Sequence, residues 1–206
     1  MVENVRVIMN FRCYVGKQRL EKGMELYSKM GGTYPFVLVY KPYIIDLGTK
    51  AEGEEYLAYN KRRWGGDGWT YSMKSSSKKD NCHFANWVWW ANTQLAHQLL
   101  LYAEKDKKQR EVSSVLFRMS YEDGENISIP ETILKAAKEI GIDEDFKEYL
   151  GSKQAYNDVK VKDRAAKQRG VSGVPYFIMS RGSKKHELSG AQRPETFLEV
   201  FKDLAL

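Results

Sequence analysis

The chain has 206 residues, 42% of them hydrophobic, with a formal charge of +6 and a mean hydropathy of −0.58. That is the size of one domain, or of one domain carrying an insertion, and no apolar run reaches membrane-spanning length, so no membrane partner is expected. The basic residues fall in short scattered groups, such as Lys61-Arg62-Arg63 and Lys184-Lys185, rather than in a stripe interleaved with aromatics, which argues against a nucleic-acid partner.

In chain order, Val5 to Met9 is a short β-like run. Tyr14 to Met30 reads as a helix with Val15, Leu20, Met24 and Tyr27 at apolar positions, stopped by Gly31-Gly32. Pro35 to Tyr40, β-branched and aromatic, is a buried-strand candidate. From about Glu52 to Gln168 the pattern turns helical. Helices are expected over Glu54–Arg63, Asn92–Lys105, Val112–Tyr121, from Pro130 to the Gly141 stop, over Glu144–Leu150 and over Asp158–Gln168. Gly65 to Lys79, rich in Gly, Ser and Lys, reads as a mobile loop.

The stretch Gly170 to Met179 is the most informative. Pro175 has no N–H to give a ladder, so it belongs at the opening of the apolar strand Tyr176–Met179. Val174 before it is biased towards extended geometry, and the Val174–Pro175 bond is a candidate cis peptide. Tyr176–Met179 and His186–Leu188 flank Arg181-Gly182-Ser183 as a hairpin. A last helix begins near Pro194, with Phe197, Val200, Phe201 and Leu204 at core spacing. The order β-α-β, helical block, β-β-α predicts an α/β, thioredoxin-like fold with an inserted all-helical domain. Residues 1–50 and 170–206 form the first domain and 51–169 the second.

Met1 to Arg6 shows no basic region followed by an apolar one, so no secretory signal is read and a cytoplasmic location is expected. The two cysteines, Cys13 and Cys82, lie far apart with no CxxC spacing. A thiolate metal site is therefore not expected, and both thiols are expected reduced. Cys82-His83 is a neighbour pair, and adjacent side chains on a helix point apart, so a local structural role is expected. Trp87-Val88-Trp89-Trp90 is read as packing rather than as a ligand cage.

Several motifs, in order along the chain, carry a resemblance. Cys13-Tyr14-Val15-Gly16-Lys17 resembles the end of a CPWCYVGK-type motif. Tyr40-Lys41-Pro42-Tyr43, Asn92-Thr93 with Ala96-His97, Leu116-Phe117 followed by Asp123-Gly124-Glu125-Asn126-Ile127, Gly170 to Phe177, and Ser189-Gly190-Ala191-Gln192 with Pro194-Glu195 follow it. Together they resemble the FrnE-like branch of the DsbA-family thiol–disulfide oxidoreductases. The related 2-hydroxychromene-2-carboxylate isomerases and kappa-class glutathione transferases share the architecture. The resemblance implies a disulfide-exchange site at residues 10–13, with Asn10 where the attacking cysteine stands and Cys13 where the resolving one stands.

The stretch Asn10-Phe11-Arg12-Cys13 thus holds a single cysteine. A redox-dead paralogue, a monothiol variant and a displaced start of translation all remain open, as do a helix-capping role for Asn10 or its neighbour and an Asn10 amide that donates to a glutathione thiolate. The resemblance further implies that Gly173, Val174 and Pro175 meet the substrate, by pairing with an extended thiol- or disulfide-bearing peptide or with glutathione. Tyr14, Asn92 and His97 are candidates for the cleft between core and insertion. No cofactor is required, glutathione is the candidate one, and a homodimer through the insertion suits the architecture. The expected function is DsbA/FrnE-like thiol–disulfide exchange, impaired or monothiol. A glutathione-dependent isomerase or transferase and a non-catalytic binding module are the alternatives.

Overall fold

The structure, a computed structural model, describes residues 3–33 and 35–206, with residues 3–7 described through their backbone only. Strand β1 (Glu3–Met9) leads through α1 (Tyr14–Lys29) to β2 (Phe36–Pro42). Then come β3 (Glu54–Glu55), α2 (Tyr56–Trp64), α3 (Trp69–Ser76), β4 (Trp89–Trp90), α4 (Gln94–Tyr102), α5 (Gln109–Tyr121), α6 (Pro130–Glu139), α7 (Phe146–Tyr149) and α8 (Lys153–Gln168). The chain closes with β5 (Tyr176–Arg181), β6 (Lys184–Ser189) and α9 (Pro194–Ala205).

The main sheet has the order β2-β1-β5-β6. β1 and β2 are parallel, as the α1 crossover requires, and the β5–β6 hairpin adds antiparallel to β1. Helices α1 and α9 pack against each other. Their approach depends on Gly23, where a Cβ would come within 2.6 Å of the Phe197 Cβ and 2.9 Å of the Pro194 carbonyl oxygen. Phe197 in turn meets Phe177 of β5 edge-on at 4.8 Å, and both rings are fully buried. Each such ring contributes about 1.5–3 kcal/mol of burial energy.

The helical insertion docks on β2, the sheet edge, through α4, α5 and α8. An edge strand presents unpaired backbone groups, and side chains of the insertion meet them. The Gln109 Oε1 accepts from the Tyr40 N–H at 2.9 Å, while its Nε2 donates to the Tyr40 carbonyl at 3.1 Å. Asp163 accepts from the Ile44 N–H just beyond the strand at 2.8 Å. Polar side chains of α5 and α8 thus fix the insertion against the end of the sheet where the redox motif would lie.

Three expectations need correction. Gly65–Lys79 is not a loop throughout, because it holds α3 and a 3-10 turn over Ser77–Asp80. Tertiary contacts override its composition: the Trp69 Nε1 donates to Asn60 Oδ1 at 2.9 Å, and the buried Thr70 hydroxyl bonds that of Tyr56 at 2.7 Å. The insertion is also not wholly helical, since Glu54–Glu55 and Trp89–Trp90 form a two-residue antiparallel ladder. A ladder that short leaves no period-2 signal to read. The helix expected from Asp158 begins at Lys153, where the Ser152 hydroxyl caps it by accepting from the Ala155 N–H at 3.1 Å.

Candidate functional site

The segment 10–13 joins β1 to α1 in a tight turn. The Cys13 N–H donates to the Asn10 carbonyl at 2.9 Å, and the Asn10 N–H points at the Cys13 Sγ at 3.4 Å. Cys13 is the N-cap residue of α1 and makes no side-chain cap. A helix N-terminus favours a thiolate, yet Cys13 is only 4% exposed. Burial dominates and pushes its thiol up to about 12, with the Asn10 N–H and the Arg12 charge offsetting only part of that. Its thiolate fraction near neutrality is therefore very small, and only the thiolate attacks a disulfide.

Asn10 does not cap α1. Its Nδ2 donates to the Tyr43 carbonyl and to the Thr93 Oγ1, each at 2.8 Å. The side chain is buried and ties the turn to the end of β2 and to the start of α4. Phe11 beside it is fully buried, its ring 5.1 Å from that of His97, and its carbonyl accepts from the Tyr121 hydroxyl at 2.8 Å.

The cleft candidates divide. Tyr14 lies in the aromatic core rather than in an open cleft: it is 5% exposed, stacks on Phe117 and Tyr121, and donates to Glu122 at 2.7 Å. Asn92 holds the α4 entrance, where its Nδ2 donates to the Thr49 carbonyl at 3.1 Å and its Oδ1 accepts from the Gln94 N–H at 3.0 Å. His97 is completely buried, and burial lowers its pKa to about 3. It is neutral at ordinary pH and reaches no solvent, so it cannot shuttle protons with a substrate.

At the second half of the site the Val174–Pro175 peptide bond is cis. Pro175 is buried against α1 one turn beyond Cys13, and the contact depends on Gly16, where a Cβ would lie 2.5 Å from the Pro175 Cγ. Gly173 is exposed and Val174 half-buried, so this loop keeps an open face. Cys82 is buried, and its thiol too is pushed up to about 12, chiefly by burial. The adjacent His83 ring bonds Asn81 rather than Cys82. Both cysteines are free thiols. Among the described residues no group of His, Cys, Asp and Glu could hold a metal ion, and no helix is long and apolar enough to cross a membrane.

Arg12, within the motif, was missed from sequence. Its Nη2 donates to the Ala91 carbonyl at 2.9 Å, and its guanidinium lies 4.1 Å from the Trp90 ring centroid. The available signal was a lone cation inside an otherwise uncharged run, Ile8 to Gly16.

The sheet order, the cis-proline packed on α1 beside the motif turn, and the helical insertion define a thioredoxin-like fold with an insertion between its halves. The chain belongs to the DSBA-like thioredoxin domain family, whose model matches residues 12–202. Its fold is similar to that of a probable DsbA oxidoreductase from Streptomyces coelicolor, with a TM-score of 0.83 and 21% identity over 98% of this chain and 89% of that one. It is also similar to the cytosolic disulfide reductase DsbM from Pseudomonas aeruginosa, with a TM-score of 0.67 and 12% identity over 97% of each chain. That reductase also has a similar structure with GSH, with a TM-score of 0.61 and 14% identity over 97% of this chain and 98% of that one. A 2-hydroxychromene-2-carboxylate isomerase matches with a TM-score of 0.62 and 17% identity over 97% of this chain and 93% of that one. At these identities the likeness is one of fold. No curated protein matches the sequence.

Proposed function

We propose that this chain is a redox-silent DsbA-fold protein of the cytoplasm that binds a ligand without exchanging disulfides with it. One observation carries the reading: the position of an attacking thiol holds Asn10, locked by two hydrogen bonds, and the remaining thiol, Cys13, is 4% exposed with its pKa pushed up to about 12. An exchange cycle needs an exposed thiolate to attack and a second thiol to resolve the mixed disulfide. This turn supplies neither. The same burial disfavours a monothiol mechanism, since Cys13 would have to leave the core before it met a substrate.

The open face of the loop at Gly173–Val174 supports binding of an extended peptide or of glutathione by backbone pairing. Glutathione bound there would be a ligand and not a reaction partner.

The test is incubation of the native protein with a large excess of glutathione disulfide at pH 8, followed by intact mass measurement. The expected spectrum shows unmodified protein. A single glutathione adduct that disappears in Cys13→Ser would establish the monothiol mechanism instead.

A further inference from the structure

Helix α8 turns a row of unpaired cations to solvent. Lys153, Lys160, Lys162 and Arg164 are exposed, and none of them forms an ion pair among the described residues, where the pairs of this segment are Lys167–Asp163 and Arg169–Glu187. The two acids of the helix are engaged elsewhere: Asp158 accepts from the Tyr149 hydroxyl at 2.9 Å, and Asp163, which is buried, accepts from Lys167 at 2.8 Å. Lys160 and Arg164 stand four positions apart, a like-charge spacing that weakens a helix. The face therefore repels itself until an anionic partner meets it. Val161, in the middle of this row, is 63% exposed.

A groove of about 430 Å³ runs beside that face, between α8 and the sheet. Ile8, Val39 and Ile178 form its floor, Ala165 and Ala166 its wall, and Lys162 stands at its rim. The other charges around it are used, since Lys41 pairs with Glu104 at 2.8 Å and Arg169 with Glu187 at 3.1 Å. Strand alternation explains the groove. Met9, Phe177 and Met179 belong to the core that α9 covers, so Ile8 and Ile178 point to the opposite face of the sheet. There α8 covers the strands only in part: Val39 is half-buried, and Val37, two residues before it, is exposed.

An occupant has to satisfy both features at once. The floor takes branched apolar side chains, while the cations beside it take carboxylates. Nucleic acid would meet the cations but set phosphate and sugar against the aliphatic floor and Val161. A bilayer surface is too flat to enter a groove recessed beside a helix. The small side chains of Ala165 and Ala166 let a second helix approach α8 at the usual axis separation of about 8–10 Å. We propose that α8 and this groove dock an amphipathic helix of a partner protein, its apolar stripe on Ile8, Val39 and Ile178 and its flanking Asp or Glu side chains on Lys162 and Arg164. Lys153 and Lys160, farther round the helix, add attraction at range. The proposal goes beyond the reading of the motif turn, and no residue of that turn lines the groove.

Fluorescence anisotropy of the full chain at pH 7.5 tests it, with a labelled amphipathic peptide of Leu, Ala and Glu as the probe and its Lys-for-Glu counterpart as the control. The expected result is saturable one-to-one binding of the Glu peptide, at least tenfold tighter than that of the Lys peptide, of polyglutamate or of duplex DNA, and weakened by added salt. Lys162→Glu combined with Arg164→Glu is expected to weaken it at least tenfold, and Ala165→Trp, which fills the groove, to weaken it with its salt dependence unchanged. Lys78→Glu combined with Lys79→Glu makes the same change in net charge on the 3-10 turn that packs on α1, and should leave the affinity within twofold. All these substitutions fall on exposed residues, and the comparison of probes on the wild type decides the matter without them. Equal affinity for the Glu and Lys peptides, polyglutamate or DNA bound as tightly as the Glu peptide, equal losses in the two double variants, or no binding at millimolar concentration would overturn the proposal.

Discussion

Asn10→Ala is expected to destabilise the protein by about 3 kcal/mol, a large loss for a single polar truncation. The amide holds the Tyr43 carbonyl and the Thr93 hydroxyl, each at 2.8 Å, and all three residues are buried. Removing the donor strands two polar groups away from water, and each carries a desolvation penalty of about 1–3 kcal/mol. Asn10→Asp should fare no better, because an ionised carboxylate cannot donate to either acceptor. Asn10→Cys recreates the two-cysteine spacing, but it too should lose stability, because a thiol is a weak donor. Urea unfolding measures the effect: the midpoint should fall with little change in the denaturant slope. A loss below about 1 kcal/mol, the worth of one ordinary hydrogen bond, would show that the lock is not structural.

The second large effect is a pH dependence that belongs to His97. Its folded pKa is lowered to about 3, mainly by burial, against about 6.5 for an unperturbed histidine. Between these values the unfolded chain binds a proton that the folded chain refuses, so stability is present above pH 6.5 and is lost as the pH falls towards 3. The loss approaches about 1.4 kcal/mol per pH unit, or about 2 kcal/mol between pH 7.5 and pH 5. Above about pH 5 the carboxylates keep their charge, so acid effects from Glu25, Glu187 and Asp203 overlap only the lower part of this window. His97→Leu removes the titrating ring and should flatten that part of the curve. Equal slopes for wild type and His97→Leu would show that the histidine takes its proton without unfolding.

The fold was legible in the sequence because its signals are local. Pro175 at the head of an apolar run, the Arg181-Gly182-Ser183 turn and the Phe197–Leu204 spacing each act within one element, and each element is present. The family assignment followed from the order of such segments, and it holds over residues 12–202. The site was legible only by position. The partners of Asn10 lie 33 and 83 residues away in the chain, and no local pattern announces them. A capping role was the natural local reading, and a long-range tie displaced it. Burial of Cys13 and of His97 was readable as one alternative, since a free cysteine is commonly buried, but the residues that enclose them, Phe11 and Tyr121 among them, come from distant segments. The segment from Gly65 to Lys79 misled for the opposite reason: its composition favours a loop, and its helix exists because Trp69 and Thr70 find partners on α2.

Arg12 links the motif turn to the insertion. It immediately precedes the buried thiol. The turn therefore combines, in this chain, a buried thiol with a guanidinium that bonds the Ala91 carbonyl and lies over the Trp90 ring. The insertion supplies both of those partners, so the contacts could not have been read from the thioredoxin-like portion alone.

The central claim, that the motif turn no longer performs disulfide exchange, is tested most directly by insulin reduction with glutathione as the electron source, comparing wild type with Cys13→Ser. The account predicts that both proteins give the uncatalysed rate, indistinguishable from each other and from buffer. Turnover comparable to that of a two-cysteine enzyme, abolished by Cys13→Ser, would contradict it.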